Sequence, residues 1–72
     1  MKKYLVQGLS DRMDAEMYCA DCEQASDVFE MFMDSKHYYA GHIASTETGE
    51  VLCYFRKERD NCGTKIIYWT AK

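Results

Sequence analysis

Asp21-Cys22-Glu23-Gln24-Ala25-Ser26-Asp27-Val28-Phe29-Glu30-Met31-Phe32-Met33-Asp34-Ser35 is the stretch on which the fold turns. Asp21 followed three residues later by Gln24 is a capping-box signature, and the residues after it repeat with a period of 3.6. Cys22, Ala25, Val28, Phe29, Phe32 and Met33 fall on one stripe, while Glu23, Asp27, Glu30 and Asp34 fall on the opposite one. The spacing predicts a helix to about Ser35 that packs by one face and shows acid on the other.

On either side the period drops to two. Lys3 to Leu9 alternates and is rich in β-formers, Ser10-Asp11-Arg12-Met13-Asp14 reads as a turn, and Ala15 to Ala20 reads as a second strand. Beyond the helix, Tyr38 to Ser45 and Glu50 to Lys57 flank Thr46-Glu47-Thr48-Gly49, whose glycine suits the left-handed position of a hairpin loop. A second turn at Asp60-Asn61-Cys62-Gly63 leads into Thr64 to Thr70. No repeat, linker or low-complexity stretch interrupts this order. Strand, strand, helix, strand, strand, strand predicts a single α+β domain over residues 1–72, with one helix on a mostly antiparallel sheet.

The last two strands do not alternate. Val51-Leu52-Cys53-Tyr54-Phe55 and Ile66-Ile67-Tyr68-Trp69 are continuous apolar runs, the pattern of a sheet covered on both faces. One helix covers one face, so Tyr54, Tyr68 and Trp69 become candidate partner-binding residues. A homodimer through the uncovered face or edge is the expected solution.

Size and charge narrow the function. With 72 residues, lining a deep cleft of ~300–1,000 Å³ would consume most of the core. No Gly-x-Ser-x-Gly, phosphate-cradling glycine loop or His-Glu-x-x-His occurs, and the carboxylates belong to a solvated face where nothing raises a pKa for acid–base work. The expectation is a non-enzymatic chain without a cofactor. Its net charge of −3 argues against direct nucleic-acid binding. The charge is also segregated. Asp11 to Glu50 holds Asp11, Asp14, Glu16, Asp21, Glu23, Asp27, Glu30, Asp34, Glu47 and Glu50 against only Arg12 and Lys36, and the flanks hold the other seven bases.

No leader-like apolar run follows the basic start and no span of about 18 apolar residues occurs, so a cytoplasmic chain off the membrane is expected, with its cysteines reduced. Cys19-Ala20-Asp21-Cys22 is open to three readings. At a strand-to-helix junction the pair resembles thioredoxin-like proteins over these four residues, although Asp21 opposes a thiolate and the chain has no proline for that family's cis-Pro loop. Read with His37 and His42, it resembles a two-Cys two-His zinc finger in spacing, although a finger carries its histidines on the helix. In the third reading Cys19 and Cys22 are small core hydrophobes.

The acidic row is what folding explains least. Like charges about one turn apart cost a few tenths of a kcal/mol per pair, and Asp34 opposes the helix dipole. Four carboxylates spread over about 16 Å match the spacing of phosphates along a strand. The expected function is a protein-interaction module presenting Glu23, Asp27, Glu30 and Asp34 to a basic, nucleic-acid-binding type of protein, in the manner of a phage or mobile-element accessory or inhibitor.

Overall fold

In the computed structural model, which describes residues 2–71 with the side chain of Asp60 apart, the chain forms β1 (Tyr4–Ser10), β2 (Ala15–Cys19), α1 (Cys22–Asp34), β3 (Tyr38–Ser45), β4 (Val51–Asp60) and β5 (Gly63–Thr70). The strands make one antiparallel sheet in the order β2-β1-β3-β4-β5. This is the expected α+β architecture. β4 runs three residues past the expected end at Lys57, because Arg56 to Asp60 stay paired with Gly63 to Ile67 up to a two-residue loop.

Each end of the helix is held by side chains. Asp21 is the N-cap, and its Oδ1 accepts from the Gln24 N–H at 2.7 Å. The Gln24 side chain reaches back one residue further than a capping box requires, accepting from the Ala20 N–H at 3.1 Å. At the other end Ser35 leaves the helix in an extended conformation, and its N–H bonds the Met31 and Phe32 carbonyls. The last turn contains no base of its own. Lys57 of β4 supplies one, donating from Nζ to the Ser35 carbonyl at 2.5 Å.

Ala25, Val28, Phe29 and Phe32 are the buried face of α1, which packs on β3, β1 and β2. Beneath them lie Val6, Cys19, Ile43, Cys53 and Phe55. Phe29 meets Phe55 edge-on with ring centroids 5.3 Å apart. Burying each such side chain contributes about 1.5–3 kcal/mol. Space for the rings comes from a cross-strand glycine pair, Gly8 opposite Gly41. A Cβ on Gly8 would stand 2.9 Å from Tyr38 Cδ1 and 3.0 Å from Phe32 Cγ, and one on Gly41 would stand 2.5 Å from Phe55 Cε1. Gly49, at φ +75°, takes the left-handed position of the β3–β4 loop as its sequence setting predicts. Cys22 departs from expectation. Placed to begin the core stripe, it is exposed as the first residue of the helix, and burial starts one turn later at Ala25.

The molecule measures 43 × 28 × 18 Å. The β4–β5 ribbon carries much of the sheet beyond the helix. Among the described residues no helix is long and apolar enough to cross a membrane.

Candidate interaction surfaces

Glu23, Asp27, Glu30 and Asp34 are exposed along the outer face of α1, opposite its buried side chains. None of the four makes an ion pair among the described residues, where the one salt bridge is Arg56 with Glu58 at 3.2 Å, both exposed side chains of β4. The bases have gone elsewhere. Arg56, Lys57 and Arg59 belong to β4 and Lys65 to β5, and only Lys57 turns back to the helix. Folding therefore places the acids in a row and leaves them without an ion-pair partner among the described residues.

Directly opposed residues of antiparallel strands share a face, so the register sorts the aromatics. Phe55 faces the helix, and its partner Tyr68 does the same, its ring 5.8 Å from that of Phe29. Tyr54 and Trp69 are opposed on the other face and stack with centroids 5.4 Å apart. They close a cross-strand row of Glu16, Gln7, His42, Tyr54 and Trp69 that spans all five strands on the open face. Tyr54, Tyr68 and Trp69 thus do not form one patch. Tyr68 is 56% exposed on the helix side, because α1 stops short of β5, and Trp69 is 44% exposed on the open side. Ile66, 44% exposed, joins Tyr68. Sequence reasoning passed over Ile66, although its place in a continuous apolar run was the available signal.

The zinc set does not assemble. Cys19 is buried under the helix, Cys22 is exposed at its first turn, and His37 follows its far end, a helix length of about 20 Å away. His42 lies on the opposite face of the sheet, in the row with Gln7 and Tyr54. Among the described residues no group of three or more His, Cys, Asp or Glu side chains could hold a metal ion.

The two buried thiols, Cys19 and Cys53, are poorly set for exchange chemistry. Burial pushes the Cys19 thiol up, with Lys2 opposing that shift and Asp21 adding to it. Burial likewise raises Cys53, against a backbone hydrogen bond at Ile43 that lowers it, and with Cys22 adding to the rise. A thiol held protonated is a poor nucleophile.

One open groove of about 720 Å³ lies where the helix ends against β4 and β5. Lys36, His37, Lys57, Arg59, Tyr39 and Ile66 are among its walls, with Asp11, Asp34 and Glu58 mixed in. Among the described residues that line it, no hydroxyl or thiol is hydrogen-bonded to a basic side chain.

No protein-family model matches the chain, and neither curated proteins nor solved structures yield a match. The class rests on the fold itself: an α+β domain with one acidic-faced helix laid across three strands of a five-stranded antiparallel sheet.

Proposed function

We propose that this chain is a non-enzymatic interaction module whose α1 docks by Glu23, Asp27, Glu30 and Asp34 on the basic surface of another protein. The observation that supports the reading is the row itself. All four carboxylates are exposed on one helix face and none has an ion-pair partner among the described residues. Stability gives no reason for such an arrangement, since like charges at these spacings weaken a helix. A basic nucleic-acid-binding protein is the partner whose surface the row would complement, since its lysines and arginines are already disposed for phosphates at comparable intervals. Long-range attraction of this kind acts first on the association rate and fades with salt.

The test is the quadruple variant E23Q/D27N/E30Q/D34N. Its urea midpoint is expected to equal or exceed that of the parent, while retention of the parent on an immobilised basic DNA-binding protein at low salt is lost. Retention that survives the substitutions overturns the proposal. So does a marked fall in stability, which would mean that the acids serve the fold.

A further inference from the structure

We propose that β5 is a dimerisation edge, pairing antiparallel with β5 of a second copy about a two-fold axis at Ile67 to make one continuous ten-stranded sheet. This goes beyond the acidic-face reading and does not depend on it.

The two edges of the sheet differ. β2 is five residues long and carries Glu16, whereas β5 is eight residues long, has no proline, and pairs with β4 without a register shift. Natural edges are usually blunted by shortness, charge, proline or a bulge. Apart from Lys65, β5 has none of these protections.

Its hydrogen-bonding direction follows from its pairing with β4. Ala71 donates to the Leu52 carbonyl at 2.7 Å, so by alternation Gly63, Lys65, Ile67 and Trp69 also turn their polar groups toward β4. Thr64, Ile66, Tyr68 and Thr70 therefore aim N–H and C=O away from β4 at the free edge of the sheet, where the described residues offer them no partner. Two antiparallel copies satisfy all four only when each outward residue opposes another outward residue. Centring the pairing on Ile67 does this, setting Ile66 against the partner's Tyr68 and Thr64 against the partner's Thr70, each twice. A centre at Ile66 or Tyr68 leaves Thr70 or Thr64 outside the ladder.

The same register is complementary in its side chains. On the helix side Ile66 and Tyr68, the exposed apolar pair beyond α1, cover each other across the axis. On the open side Ile67 meets its own copy, and Lys65 faces the indole of the partner's Trp69, a cation–π pairing. Main-chain bonds supply affinity and alternating side chains supply specificity, as in strand addition generally.

Size exclusion with light scattering on the full chain is expected to give twice the 8.4 kDa monomer mass. In a C22S/C62S background, Ile67→Cys is expected to form a covalent dimer on oxidation, because the residue at the axis opposes itself. Ile66→Cys should cross-link far less. Ile66→Pro removes only an outward donor, which an edge strand tolerates, and should return the mass to that of the monomer with an unchanged far-ultraviolet circular dichroism spectrum. Ile66→Lys serves the same purpose should the proline variant fail to fold. A parent mass of 8.4 kDa overturns the proposal. A dimer that survives Ile66→Pro or Ile66→Lys, or that cross-links better at Ile66 than at Ile67, overturns it equally.

Discussion

An added methyl group at Gly41 would stand 2.5 Å from a Phe55 ring carbon and 2.7 Å from the Gln7 carbonyl oxygen. The ring could tilt, but the carbonyl belongs to β1 and can move only with the strand. Gly41→Ala is therefore expected to destabilise the fold by ~1–3 kcal/mol, the cost of overpacking a closed core, measured by urea titration. Nothing in Tyr39-Ala40-Gly41-His42 announces that requirement, because the demand comes from Phe55, far along the chain. The aromatics teach the same lesson in reverse. Their exposure was legible in the unbroken runs of β4 and β5, but an unbroken run has no alternation to say which side each residue takes. Pairing with β4 decides it, sending Tyr68 toward Phe29 and Trp69 toward Tyr54.

The helix was the most legible element, since its cap, its apolar stripe and its acidic stripe are all local in sequence. Its C-terminal partner was not. Lys57 stands 22 residues from Ser35, and nothing local links the two. Lys57 neutralises a helix end that Asp34 makes worse, and its ammonium also lies 5.9 Å from the centre of the Phe55 ring. Lys57→Met keeps most of the stem while removing the charge and the donor. It is expected to cost ~1 kcal/mol, read as a lower urea midpoint, and the loss should shrink in the D34N background, where less negative charge needs an answer.

At the scale of the molecule, the order of elements could be read from turn residues and changes of period, whereas the order of strands could not. β1 pairs with β3 across the intervening β2 and helix, and no feature of either strand encodes that choice over a simple meander. The zinc alternative failed for the same reason. Its spacing was right along the chain, but the helix carries His37 away from Cys22 and the pleat turns His42 to the far face. Treatment with a strong chelator is therefore expected to leave the circular dichroism spectrum and the melting temperature unchanged. A structural zinc site would supply ~10–16 kcal/mol of apparent binding energy, so its loss from a chain of this size would show as outright unfolding.

Two of the four cysteines are sealed in and two are at the surface: Cys19 has no exposed area and Cys53 is 9% exposed, whereas Cys22 at the helix start and Cys62 in the β4–β5 loop are exposed. Cys19 lies on β2 and Cys53 on β4, with β1 and β3 between them. A thiol-reactive dye added to the intact protein would mark the two exposed positions first and reach Cys19 and Cys53 only when their cover lifts. Cys19 would time the parting of the helix from the β1–β2 hairpin, and Cys53 the parting of the helix from the long ribbon. If the molecule opens all together the two clocks run at one rate, and if it opens in pieces they run apart. The native sequence thus carries a pair of built-in stopwatches, one on each side of the central strands, that need no engineered label to be read.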